Sequence, residues 1–225
     1  MTTQNSSAQT AFGPVVLAAI EHCERPGRRL VDDDLAASFL PARLRLLVWL
    51  TRAGALRRAA LAAVDRSGPG VWASIVCRKR YIDERLSDPV NEFDTVVILG
   101  AGLDTRAYRI ARYSDLPVFE VDQQINIDRK TAVVQRVLGE PPASVHLVPV
   151  DFEHDELIPV LQTHGYPATG RTFFIWEGVT QYLTPEAVRA TLGQLSGAAT
   201  GSRLIFTYIH QDFIDGTQLY GADSL

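Results

Sequence analysis

The chain has 225 residues, 46% of them hydrophobic and 21% charged, with a formal net charge of −4. That length suits one α/β domain with an ordinary core, or one domain and a small cap, and the charge balance leaves no footprint for nucleic acid. Cys23 and Cys77 are far apart, without a C-x-x-C or clustered histidines, which favours reduced thiols in a cytoplasmic protein over a disulfide or a zinc site.

Met1–Thr10 is polar and uncharged and lacks the basic start of a signal peptide. The first ninety residues are expected to be helical, as a cap region over 1–90. Phe12–Cys23 is a short apolar helix, too short in its Val15–Ile20 run to cross a bilayer, and Arg25-Pro26-Gly27 breaks it. Asp32–Asp34 cap a helix carrying Leu35, Ala36, Phe39 and Leu40. Pro41–Val64 is rich in Leu, Ala and Arg, with a break at Gly54. Its arginines (Arg43, Arg45, Arg52, Arg57, Arg58, with Arg66 just beyond) have two readings. They snorkel from an amphipathic pair packed on the domain, or they form a mobile cap that draws an acidic acceptor. A basic amphipathic helix also suits a membrane surface, for which Trp49 alone is slender support. Ser67-Gly68-Pro69-Gly70 is a turn, and Val71–Leu86 a further helix ending near Pro89.

From Asp94 the texture changes to strand, turn and helix in alternation. The strands predicted are Thr95–Leu99, Val118–Val121, Val145–Val150, Thr172–Trp176 and Arg203–Tyr208. Thr105–Arg112, Ile125–Leu138, Glu156–Gln162 and Pro185–Ala198 are predicted as helices between them. Such alternation implies right-handed βαβ units and a Rossmann-like parallel sheet with helices on both faces, over residues 91–225.

Val96–Leu99 runs straight into Gly100-Ala101-Gly102. A buried strand breaking into a glycine turn lets a ligand approach the backbone closely, and the free N–H groups of the helix that follows face the same crevice. Thr105 takes the place of the third glycine of a dinucleotide fingerprint. That disfavours a pyrophosphate cofactor. About 20 residues on, Phe119-Glu120-Val121-Asp122 closes the second strand, where an acid accepts hydrogen bonds from both ribose hydroxyls; alone, it is equally a solvated strand end or a cap. Asp151 and Phe152, at the end of the third strand, can meet an adenine or form a helix cap. Glu177 leaves a continuous apolar strand and needs a cationic partner, either a ligand or an arginine such as Arg78 or Arg80.

Together these segments, in this order and spacing, resemble the leucine carboxyl methyltransferase-like family of class I S-adenosylmethionine-dependent methyltransferases. The matching text is Cys77-Arg78-Lys79-Arg80-Tyr81, Gly100-Ala101-Gly102-Leu103-Asp104-Thr105-Arg106, Phe119-Glu120-Val121-Asp122, Val150-Asp151-Phe152 and Glu177-Gly178 leading into Tyr182-Leu183-Thr184-Pro185-Glu186. The resemblance implies S-adenosyl-L-methionine as cofactor. Arg78 would pair with its carboxylate, helped by Arg80. Gly100 and Gly102 would shape the turn beneath it, and Asp122, with Glu120 as alternative, would hold the ribose. Asp151 and Phe152 would sit at the adenine, Glu177 near the amino or sulfonium side, and Tyr182 at the acceptor mouth. The family's sheet has seven strands and five are predicted here, so the chain is expected to be a fragment or a shortened variant, or to have its last strand covered by a partner. The strand Arg203–Tyr208 is then an exposed edge, suited to homo-oligomer formation.

The expected activity is methylation of a carboxylate or hydroxyl on a small-molecule acceptor. His146, His154, His164 and His210 occupy no family-matched slot, so no catalytic residue or general base is assigned and no metal is expected. A non-catalytic cofactor-binding module is the main competing reading. A nicotinamide-dependent oxidoreductase is another, opposed by Thr105 and by the lack of a Tyr-x-x-x-Lys pair.

Overall fold

A strand of five consecutive buried residues is a strand covered on both faces, and the described residues hold three: β1 (Thr95–Leu99), β2 (Val118–Asp122) and β4 (Thr172–Trp176). Flanked by β3 (Val145–Pro149) and β5 (Arg203–Phe206), they form a parallel sheet in the order β3-β2-β1-β4-β5. The computed structural model describes residues 12–88, 90 and 92–219; the polar start Met1–Thr10 and the expected stop at Pro89 lie outside these.

The connections of the sheet are α6 (Arg106–Ile110), α7 (Gln124–Leu138), α8 (Leu157–Thr163) and α9 (Pro185–Leu195). Strand side chains alternate between faces, and partners on each face identify the helices there. Glu120 of β2 meets Tyr108 of α6 and Lys130 of α7. Val97, Phe119, Phe174 and Trp176 point the other way, into a core shared with Leu157 and Leu161 of α8 and Leu195 of α9. Helices therefore cover both faces. Full burial of Phe174 contributes roughly 1.5–3 kcal/mol of transfer free energy, and the larger Trp176 adds to it. Tyr166 adds an edge-on contact to Phe119, at 5.7 Å between ring centres.

Local chemistry sets the helix ends. Thr184 caps α9 by accepting from the Ala187 N–H at 3.2 Å, with Pro185 at the first helical position. Glu153 fixes that cap through the Thr184 N–H and hydroxyl, both at 2.8 Å. Gly139, at φ +81°, stops α7. Strands β3 and β5 and helices α6 and α9 are shorter than the sequence predicts, although Thr207 still donates to the Trp176 carbonyl at 3.0 Å.

Leu86–Tyr208 is one compact unit; the other takes in the described residues of Met1–Arg85 and Ile209–Leu225. The sequence had placed the tail after Tyr208 with the strands. The second unit holds α1 (Phe12–His22), α2 (Ala36–Phe39), α3 (Ala42–Leu50), α4 (Gly54–Ser67), α5 (Val71–Leu86) and α10 (Gln211–Ile214). Ala18, Ala36, Phe39 and Leu40 form its buried centre.

Candidate functional site

In an open parallel sheet, ligands bind beyond the carboxyl ends of the strands, where the strand order reverses. Here that point lies between β1 and β4. Gly100 and Gly102 follow β1 at φ +67° and +45°, a region that side chains rarely adopt. At Gly100 the reason is packing: a Cβ would come within 2.2 Å of Val179, which follows β4. At Gly102 no neighbour crowds the position, the nearest atom being the Gly100 carbonyl oxygen at 3.9 Å. Gly100 thus closes the turn against β4, and Gly102 leaves open space.

Asp122 ends β2 beside that turn. One of its oxygens accepts from the Gly102 N–H at 2.7 Å; the other accepts from the Gln123 N–H and the Asn126 amide, both at 2.8 Å. A carboxylate offers about four acceptor directions, so the oxygen on Gly102 keeps one. The residue is 8% exposed. Glu120, the sequence's alternative to Asp122, is fully buried. It is ion-paired to Lys130 and accepts from the Tyr108 hydroxyl at 2.8 Å. Burial raises its carboxyl to about 7, outweighing Lys130 and Tyr108, which pull it down. Lys130 also reaches the Ala101 carbonyl at 3.4 Å, tying this buried group to the back of the glycine turn. Of the two acids, Asp122 is the one that reaches the turn.

Glu177 finds its cation in Arg106, at 2.7 Å. The arginine is 1% exposed and also pairs with Asp104, whose second oxygen accepts the Arg106 N–H at 2.8 Å. Sequence reading assigned no role to Asp104 or Arg106, although both stand in the motif Gly-Leu-Asp-Thr-Arg that carried the resemblance. It also left the α6 N–H groups free for a ligand, whereas the first of them is taken by Asp104. Gly178 donates to the Thr207 hydroxyl at 2.7 Å, and Thr180 to the Thr207 carbonyl at 2.8 Å, holding the loop after β4 against the end of β5.

The remaining residues are placed less tightly. Asp151 organises its own turn, accepting from the Glu153 N–H at 3.0 Å, and is half exposed. Phe152 is buried against Trp176, with ring centres 6.0 Å apart. The Trp176 indole nitrogen is buried with no partner among the described residues. Tyr182 is exposed in the 3-10 turn Thr180–Tyr182. Arg78 is half-buried on α5, in the other unit, and Arg80 on the same helix pairs with Glu84 at 2.7 Å. A cavity of about 310 Å³ beside Glu156, Tyr166 and Gln194 holds no strained glycine and no ion pair.

Residues 11–196 match the family model of the leucine carboxyl methyltransferases. The chain belongs to that family. Its relatives include proteins provisionally named S-adenosyl-L-methionine-dependent methyltransferases. One from Mycolicibacterium smegmatis is 35% identical over 92% of this chain and 67% of its own length. One from Mycolicibacterium paratuberculosis is 40% identical over 59% of this chain and 42% of its own. A relative from Mycobacterium tuberculosis is 31% identical over 86% and 64%. The chain thus spans between two fifths and two thirds of the length of these relatives. A solved O-methyltransferase family protein from Burkholderia thailandensis is 18% identical, with a TM-score of 0.40 over 62% of this chain and 44% of that one. That likeness is too loose to add to what the sheet order shows. Within the family match fall the glycine turn, Asp122, Asp151 and Glu177. Residues 203–206 of β5 lie beyond it.

Proposed function

We propose that the chain binds S-adenosyl-L-methionine across the carboxyl ends of β1, β2 and β4 and transfers its methyl group to a carboxylate or hydroxyl of a small-molecule acceptor. The observation that carries this reading is the contact between Asp122 and the Gly102 N–H at 2.7 Å, beside the open space at Gly102. An anchored carboxylate with one free acceptor direction suits a ribose diol, and an unfilled glycine suits the close approach of a nucleoside. The family's relatives, named for the same cofactor, support it.

The bound cofactor supplies a methyl group already activated on a sulfonium. In this reading Asp122 orients the ribose, and Glu177, itself fixed by Arg106, faces the positive end of the methionyl portion. Phe152 walls the adenine side, with Asp151 beside it. Alignment and exclusion of water carry most of the rate. A carboxylate acceptor needs no proton removed, consistent with a site to which no general base is assigned. The two free cysteines, one half-buried and one exposed, favour a cytoplasmic setting. The outer edge of β5 suits pairing with a second copy.

Calorimetric titration with S-adenosylhomocysteine tests the reading. Binding is expected in the native chain, with at least a tenfold loss in Asp122→Asn. A folded chain that gives no heat would overturn it.

A further inference from the structure

Helix α3 fully buries a single side chain, with Leu44 half-buried one turn before it. Val48 is 3% exposed, and the Cys23 thiol and Thr51 hydroxyl both close on its carbonyl. The opposite side of the helix presents Leu46, Leu47, Trp49 and Leu50 at 59, 58, 56 and 40% exposure. Leu46 lies three and four residues from Trp49 and Leu50, so the three share one face, and Leu47 adjoins Leu50 at the same spacing. Leu56, on α4, is another 50% exposed. Aliphatic and indole surface gathered in this way marks an interaction site rather than ordinary scatter.

The charges around it are of one sign. From Leu35 to Val64 the sequence contains five arginines and no Asp or Glu. Arg57 is spent within the unit, donating to the Cys23 and Thr51 carbonyls and pairing with Glu24 at 2.7 Å. Arg43, Arg45, Arg52 and Arg58 are exposed and have no ion pair among the described residues. A two-fold contact between copies through this face would set Arg43 and Arg45 against themselves. An acidic, deformable, apolar-cored partner satisfies both halves of the pattern.

We propose that α3 and the start of α4 dock this protein on anionic phospholipid membranes, lying in the plane of the interface. Trp49, Leu46 and Leu50 insert at the boundary between headgroups and chains, and Arg43, Arg45, Arg52 and Arg58 meet the lipid phosphates. The inference is independent of the proposed methyl transfer. It replaces the reading of these arginines as snorkelling stems, because the leucines they would cover are themselves bare.

The test is flotation of the full chain with vesicles of phosphatidylcholine alone and with about one third phosphatidylglycerol. Binding is expected only to the anionic vesicles, and about 0.5 M salt should release it, the screening length being then about half its physiological value. Arg43→Gln with Arg45→Gln should weaken partitioning roughly 25-fold, at about fivefold per arginine. Trp49→Ala with Leu46→Ser should abolish it, with the far-ultraviolet circular dichroism unchanged. In the unaltered chain, brominated lipid should quench tryptophan fluorescence, and Trp49→Phe should remove that quenching. No flotation, equal flotation on uncharged vesicles, or variants that float like the parent would overturn the proposal. A mass doubled in light scattering and restored to the monomer by Trp49→Ala, without flotation, would assign the face to a second copy instead.

Discussion

Arg106 and Glu177 are 71 residues apart in sequence and 2.7 Å apart in the fold, joining the start of α6 to the end of β4. The contact bridges the point where the strand order reverses, which is where the proposed cofactor lies. Because Arg106 also holds Asp104, one buried guanidinium sets two carboxylates of the site. Arg106→Met would leave both without that cation, and removing one partner of a buried pair costs about 3–5 kcal/mol. Urea denaturation should show that loss. Glu177→Gln, which leaves the Asp104 pair intact, should cost less stability while still weakening S-adenosylhomocysteine.

Gly100 and Val179 are expected to be coupled. In Gly100→Ala a methyl group would sit 2.2 Å from Val179, at φ +67°, combining about 1–2 kcal/mol of left-handed strain with about 1–3 kcal/mol of overpacking. Val179→Ala should relieve the second part and not the first. A double-mutant cycle in denaturant should therefore return a favourable interaction of about 1–3 kcal/mol.

Gly102 should behave differently. Its Cβ would meet nothing closer than 3.9 Å, so Gly102→Ala costs only the backbone strain of about 1–2 kcal/mol. Its methyl group would instead occupy the space offered to the ligand. Affinity for S-adenosylhomocysteine, measured calorimetrically, should fall at least tenfold. Equal affinity would place the cofactor elsewhere.

The buried Glu120 predicts a pH dependence. Folding raises its carboxyl from an ordinary value near 4.5 to about 7, so between those limits the native chain holds a proton that the unfolded chain has released. This contribution to stability is full below about 4.5 and is lost as pH rises through about 7. Relative to Glu120→Gln/Lys130→Met, which lacks both titrating groups, the native chain should lose on the order of 1–3 kcal/mol between pH 5 and pH 8. Urea midpoints at the two pH values measure it. A difference that is flat or grows with pH would mean that Lys130 keeps the carboxylate ionised.

Sequence pattern carried the sheet well where one physical cause acted alone. Thr95–Leu99 and Thr172–Trp176 read as buried strands because nothing polar interrupts them, and both have those bounds. The glycine turn and the acid that ends β2 were legible for a similar reason: backbone freedom and strand-end position are local properties. Helix α6 begins one residue later than predicted and stops two residues earlier, its first N–H being held by Asp104.

What the sequence by itself determined was the alternation of strand and helix, the glycine turn and the family to which they belong. Tertiary structure decided which charges are free to act. Glu120 and Asp122 stand two residues apart on one strand, yet the first is enclosed by Lys130 and Tyr108 and the second reaches the Gly102 N–H. Glu177 acquired Arg106 rather than Arg80, and Leu46, Leu47 and Leu50 of α3 face outward rather than into a core. The reason is physical. A buried charge must find its partner in space, and chain folding brings together residues whose separation along the sequence carries no mark of the meeting.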